Sequence, residues 1–245
     1  ILNWKGDEHS HETERCNGCG ECKTLTRVWS MCPVFKAYPV EQAAPRAKAN
    51  LIRTMMSGRL SLEYMTDKEF KQIADLCANC KMCHLECPSE VNIPKLMLEA
   101  RAYWVHHHGL PLKDRFLTLA DKLSIPAGWT APVSNQMMEI KPLRLLMQTV
   151  TGIHRNRKLP KFKSTTFMHQ YKQSRPQAIE NPVGKVAYFV DQFANAHDPE
   201  LAWAVMDVLR YNDIDVIIPP QRWAAMPSID YGDIKGALPT VKYNV

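Results

Sequence analysis

Nowhere in the 245 residues does an apolar run approach the roughly 18 residues that a membrane span requires. The opening stretch, ILNWKGDEHSHETER, lacks the layout of a secretory signal. It is polar and does not start with methionine, so residues 1–14 are expected to be a linker inside a fragment or the later part of a longer polypeptide. No GxGxxG joins a strand signal to a helix signal, which removes the sequence argument for a dinucleotide site. Basic residues exceed acidic ones, 31 to 25, giving a formal charge of +6. They are scattered, however, and no nucleic-acid module pattern is legible, so no nucleic-acid partner is expected. Cysteine is absent after Cys87. With 45% hydrophobic and 23% charged residues, the composition is that of an ordinary soluble globular protein with enough length to bury a core.

What is present is concentrated. All 8 cysteines fall in two stretches, CNGCGECKTLTRVWSMCP (Cys16 to Pro33) and CANCKMCHLECP (Cys77 to Pro88). Three readings compete. A disulfide framework needs export, and cysteines three apart favour a shared metal over separate bridges. Structural zinc usually pairs two CxxC units per ion, whereas each stretch here carries three cysteines in one run. Iron–sulfur clusters fit better, because a compact CxxCxxC turn can wrap three corners of a cubane with local backbone. Thiolates holding such clusters would also cancel much of the formal positive charge.

The second stretch reproduces the bacterial ferredoxin run C-x2-C-x2-C-x3-C-P. That resemblance implies cross-tying, in which the fourth ligand of each cluster comes from the Cys-Pro of the opposite run. Carried over, one [4Fe–4S] cluster takes Cys16, Cys19, Cys22 and Cys87, and the other takes Cys77, Cys80, Cys83 and Cys32. Pro33 and Pro88 restrict the preceding cysteine, and Gly18 and Gly20 suit a tight wrap. The longer gap before Cys32 departs from the simple ferredoxin spacing.

Helical signals separate the runs. Pro45 opens a helix with Leu51, Ile52, Met55 and Met56 on one face, ending near Gly58. Thr66 and Glu69 form a capping box ahead of Phe70, Ile73 and Ala74. A third helix runs from Pro94 to His108, with Leu96, Met97, Ala100 and Trp104 inward and Gly109 as its stop. His106, His107 and His108 cannot all face one ion from consecutive helix positions, so a solvated helix end is expected. Arg46, Lys48 and Arg53 admit three uses: a solvated face, a balance for anionic clusters, or a dock for an acidic partner.

Further helix with proline interruptions is expected over 112–153, and a basic linker over 158–182. KVAYFV reads as a buried parallel strand. Asp198 caps a helix with Leu201, Val205, Val208 and Leu209 as its stripe, and IDVII makes a second strand, completing one βαβ unit. The expected fold class is mainly α, an α-helical ferredoxin domain carrying two cluster loops followed by a small α/β region. The expected domains are 1–14 linker, 15–125 ferredoxin-like, 126–183 helical or linker, and 184–245 α/β.

The stretches RCNGCGECK, MCPVF, PRAKANLIR, LCANCKMCHLECPSEVNIPKLMLEA and VAYFVDQFANAHDPELAWAVMDVLRYNDIDVIIPP together resemble the iron–sulfur part of FAD-linked 2-hydroxy-acid oxidases. They are also similar to the iron–sulfur subunits of glycolate oxidase and anaerobic glycerol-3-phosphate dehydrogenase. Such chains continue into a domain named for a Cys-Cys-Gly motif. Here Gln192 stands where that domain's first cysteine is expected, and Trp223-Ala224-Ala225-Met226-Pro227 stands in place of Cys-Cys-Gly-Met-Pro.

The resemblance implies a module with no catalytic site of its own, passing single electrons from FAD in a partner domain or subunit to a quinone, cytochrome or other carrier. It implies a cytoplasmic location, with peripheral association at the inner membrane face as an option. The alternatives are a heterodisulfide-reductase-like subunit, for which the chain has no third set of cysteines, and a cluster-bearing structural subunit of a respiratory assembly.

Overall fold

The computed structural model describes residues 2, 4–5, 8–174 and 176–245. It divides into two compact units: Ile1–Leu110 with Ser228–Ile234, and Pro111–Pro227 with Lys235–Val245. The cut falls after Leu110, not after 125, and a short segment from near the C-terminus belongs to the first unit.

Of the expected N-terminal linker, Ile1, Asn3, Gly6 and Asp7 lie outside the described residues. The rest is not simply linker. Glu8–Glu14 forms helix α1, with Glu12 and Thr13 buried. Glu99 on a later helix accepts from the Leu2 backbone N–H at 2.7 Å and from the Trp4 indole at 3.1 Å, which ties the polar start to the core.

Five more α-helices follow in the first unit before Leu110: α2 (Pro33–Ala37), α3 (Pro45–Met56), α4 (Lys68–Asp75), α5 (Met82–Glu86) and α6 (Ile93–His108). Proline sits in the first turn of α2, α3 and α6, where its missing N–H has no helical partner to lose. Ile52, Met55, Phe70, Ala74, Leu96, Met97 and Ala100 form one core with Met31 and Cys83. Burying each large apolar side chain of this set contributes about 1.5–3 kcal/mol. The cysteine loops are therefore spliced between helices that share a core.

Local details differ from the sequence expectations. Asp67, not Thr66, precedes α4, and the Thr66 hydroxyl donates to the Glu63 carbonyl at 2.7 Å. A 3-10 turn over Leu62–Thr66 takes up Thr66, the residue that would have capped the box with Glu69. Met56 is exposed, Trp104 is half-buried, and His106, His107 and His108 lie exposed at the end of α6.

In the second unit, α7 (Leu112–Thr118), α8 (Ala120–Trp129), α9 (Ala131–Met137) and α10 (Lys141–Thr151) follow one another closely. Helix α8 runs through Pro126, so that proline does not break it. Buried Arg144 on α10 donates to the carbonyls of Arg155 at 2.9 Å, His154 at 3.2 Å and Arg157, folding the basic loop back on the helix. Within the expected linker, Phe167–Ser174 forms α11.

The βαβ unit consists of β1 (Gly184–Ala187), α12 (Gln192–Ala196), α13 (Pro199–Tyr211) and β2 (Ile214–Ile217). The strands pair in parallel, with Val186 opposite Val216. Strand β1 is largely exposed, contrary to the buried strand expected, because a two-stranded sheet leaves one of its faces open. Helix α13 also turns a different face inward: Ala202 and Met206 are buried, whereas Leu201 and Val208 are exposed. Apolar residues stand on both faces of that helix, so periodicity alone cannot choose between them. Phe167, Val190, Ala194, Ala202, Met206 and Val216 make the core of this region. The chain ends with α14 (Met226–Asp230) and α15 (Ile234–Asn244).

Candidate metal centre

Residues on either side of each middle cysteine set the shape of both runs. In the first, Gly18 has φ 79° and Gly20 has φ 83°; in the second, Asn79 has φ 50° and Lys81 has φ 63°. Left-handed backbone at both places turns the chain around a centre so that successive cysteines face the same cavity. Helix caps then fix the late cysteines: Cys32 is the N-cap of α2 and Cys87 the C-cap of α5.

The resulting geometry joins cysteines that are far apart in sequence. Cys16, Cys19, Cys22 and Cys87 line one cavity of about 30 Å³, and Cys83 also reaches its wall. Cys32, Cys77, Cys80 and Cys83 line a second, of about 20 Å³. Each exceeds the ~10–15 Å³ that one water-sized sphere needs. Among the described residues, no three His, Cys, Asp or Glu side chains are placed to hold a metal ion. The thiols ring cavities instead of closing on a point, which suits a multi-iron core better than a zinc ion with sulfur at ~2.3 Å.

Burial pushes the Cys22 thiol up, with the neighbouring cysteines adding to it and the Arg46 backbone N–H, donating to its sulfur, opposing it. Burial likewise pushes Cys77 up, against a bond from the Asn79 backbone N–H. Cys83 is pushed up furthest, by burial and then by Cys77, Cys32 and Cys80. Thiols crowded and desolvated in this way resist ionising until a cation arrives to take their charge. The donor set therefore fits an iron–sulfur group.

Three side chains that sequence reasoning missed or left undecided hold this arrangement. Glu86, beside Cys87, accepts from the backbone N–H groups of Ser30 at 3.1 Å and Met31 at 2.6 Å. That clamp brings the long loop of the first run, and with it Cys32, to the second. Those two backbone bonds, the Met31 one foremost, hold the Glu86 carboxyl below its usual range. Arg101, buried in α6, donates to the Ala74 carbonyl at 2.7 Å and to that of Cys77, and reaches the Asp230 carbonyl at 2.8 Å. The Asn79 side chain donates to the Asp230 carboxylate at 2.5 Å, so the 228–234 segment straps the second run. No spacing in the sequence signals either contact.

The basic residues of α3 prove to have separate uses. Arg46 is partly exposed and pairs with Glu41 at 3.2 Å. Arg53 donates to the Cys16 carbonyl at 3.1 Å. Lys48 is 2% exposed, lines the second cavity, and donates to the Ala43 carbonyl at 2.6 Å. In the second unit, Trp223, Ala224 and Ala225 are half-buried, and the carbonyls of Arg222 and Trp223 accept from the Asn244 amide at 3.0 and 3.4 Å. That place offers no thiol.

Residues 12–91 match the 4Fe-4S dicluster domain family. A subunit of the anaerobic glycerol-3-phosphate dehydrogenase of Escherichia coli strain K12 is 29% identical over 122 residues, which is 50% of this chain and 30% of the relative. Its counterpart from Escherichia coli O157:H7 gives the same figures. The chain thus spans less than a third of the length of these curated relatives. No solved structure matches. The cysteine-bearing part is thus similar to a 4Fe–4S dicluster domain, a likeness that supports an iron–sulfur, electron-transfer role of oxidoreductase type.

Proposed function

We propose that the module serves a flavin-dependent dehydrogenase, relaying electrons from FAD in a partner domain or subunit toward a quinone, cytochrome or other carrier. The substrate class we assign to that partner is a 2-hydroxy acid, with glycerol 3-phosphate, named in the relatives, as the nearest competitor. The ligand sets are Cys16, Cys19, Cys22 and Cys87 for one cluster, and Cys77, Cys80, Cys83 and Cys32 for the other. The observation that carries this reading is the sorting of eight thiols from two distant runs into two cavities. Bound there, iron–sulfur clusters supply one-electron transfer, which lets a two-electron flavin be reoxidised by a one-electron acceptor. The chain's own residues hold the loops, bury Cys83 and partly bury five other thiols, and aim backbone N–H groups at the sulfurs of Cys22 and Cys77.

We further assign a cytoplasmic location at an anionic membrane surface. Among the described residues, no helix is long and apolar enough to cross a membrane. Helices α7 to α10, with Ile140 just before α10, nevertheless expose Leu112, Phe116, Trp129, Val133, Ile140 and Leu146. Lys and Arg outnumber Asp and Glu ten to three between residues 112 and 163. Apolar side chains beside a basic excess are what interfacial association uses, at about 1 kcal/mol per basic residue near an anionic surface.

The test is anaerobic co-purification with the flavoprotein, an iron assay, and electron paramagnetic resonance after adding substrate. About eight irons per chain and signals that appear with substrate are expected. Zinc in place of iron would overturn the cluster assignment. Iron that stays oxidised while the flavin is reduced would leave only a structural role.

A further inference from the structure

Beside the second cavity sits a cation that the fold has little independent reason to bury. Lys48 lies in the first turns of α3, 2% exposed, where a lysine is among the last residues to be found. An ammonium offers three donors, and the bond described for this one goes to a neutral carbonyl, Ala43 O. Burying a charge on such terms is costly unless an opposite charge faces it. Lys48 shares the lining of the second cavity with Cys32, Cys77, Cys80 and Cys83; burial pushes its ammonium down, Cys77, Cys32 and Cys83 oppose that, and Arg101 is the nearby like charge.

Among the described residues, the first cavity is lined by no equally buried cation, and the half-buried Arg53 reaches the Cys16 carbonyl at 3.1 Å from outside its lining. Its wall carries Arg46, whose side chain is 31% exposed and already paired with Glu41. A charge shared with a carboxylate and open to water acts weakly on its surroundings, whereas a buried one is barely screened.

We propose that the Lys48 ammonium sets the second cysteine site at the higher reduction potential of the two, by favouring the state with one more negative charge. This rests on the ligand sets assigned above. Lys48 touches no substrate; it acts through the field it places on the Cys32, Cys77, Cys80 and Cys83 site. The asymmetry we assign lies in neighbouring residues of one helix, Arg46 and Lys48, since Arg53 at the Cys16 carbonyl and Arg101 at the Cys77 carbonyl bring a guanidinium to each run.

The experiment is a redox titration of the anaerobically purified full chain, followed by paramagnetic resonance, with iron counted in each sample. The second site's signal is assigned by the change that Cys80→Ser makes in it. In the unaltered chain that signal should titrate at the higher potential. In Lys48→Met it should fall by at least a tenfold change in equilibrium constant, 59 mV for one electron, while the first site stays put. Full iron with both midpoints unmoved, or a shift at the first site instead, overturns the proposal. Should Lys48→Met lose second-site iron, Lys48→Arg decides. Retained iron and midpoint in that variant show that charge is the requirement, and loss in both variants shows that shape is. A chain without iron in any form would sink the ligand assignment itself, a separate failure that the iron count reveals.

Discussion

The two cysteine runs trace the same turn by different means. Around Cys19 the left-handed positions are Gly18 and Gly20, which adopt them at no steric cost. Around Cys80 they are Asn79 and Lys81, and an ordinary side chain there costs about 1–2 kcal/mol. The second run offsets that cost through neighbours: Arg101 on the Cys77 carbonyl and Asp230 on the Asn79 side chain. A loop can thus be shaped by its own residues or by what surrounds it, and only the first kind is written locally.

The largest way to break this comparison is to remove the cross-tie. Cys32→Ser should strip or cripple the site of Cys77, Cys80 and Cys83 and leave that of Cys16, Cys19 and Cys22 nearly intact, so that about half of the iron is lost. Cys87→Ser should do the reverse. Iron per chain together with resolved spectra reads both, and damage to the adjoining run instead would mean that each run is self-contained.

Next in size is Arg101→Met, which leaves the buried carbonyls it serves without a donor. We expect about 2–4 kcal/mol of lost stability by urea unfolding, and faster bleaching of the second site than of the first in air. Equal bleaching of the two sites would show that the strap does not distinguish them.

Lys81→Gly sharpens the comparison from the other side. Relief of the left-handed strain should stabilise the chain by about 1 kcal/mol, whereas Gly18→Ala should destabilise it by a similar amount. Matched denaturant midpoints decide this, and no gain from Lys81→Gly would mean that the second loop is not strained.

The smallest effect is in pH. Burial holds His9 below its ordinary value, and its Nε2 has no hydrogen-bond partner among the described residues. The unfolded chain binds that proton more readily, so stability is full above the unfolded value near 6.5 and is lost as pH falls through the lowered folded one. Trp4 packs edge-on against His9 at 4.9 Å, so its fluorescence should report the loosening first. His9→Gln should remove the pH dependence.

Legibility in the sequence followed the range of the interactions. The cysteine runs, Pro33 and Pro88 could be read because a cluster loop is local chemistry, and the helices from Pro45 and Pro94 because their apolar spacing is. The face of α13 could not be read, since Leu201 and Val208 compete with Ala202 and Met206 on equal terms. Arg46, Lys48 and Arg53 admitted three uses on sequence alone, and only the packing of α3 separates the buried Lys48 from the other two. Glu86 and Arg101 act across 55 and 24 residues to Met31 and Cys77, and the strap reaches across 151 from Asn79 to Asp230. Contacts of that span leave no periodic trace.

That last distance sets a schedule for synthesis. A ribosome adding about 5–20 residues each second delivers Asp230 roughly 8–30 s after Asn79. During that interval the Gly18 and Gly20 turn has everything it needs, while the Asn79 and Lys81 turn waits for its strap. Gly232 lets the strap arrive, because a Cβ there would stand 2.6 Å from the Arg101 backbone. The site of Cys16, Cys19, Cys22 and Cys87 thus has its ligands and its turn before Asp230 is made, and the other is completed only by a strap that follows its loop by 151 residues.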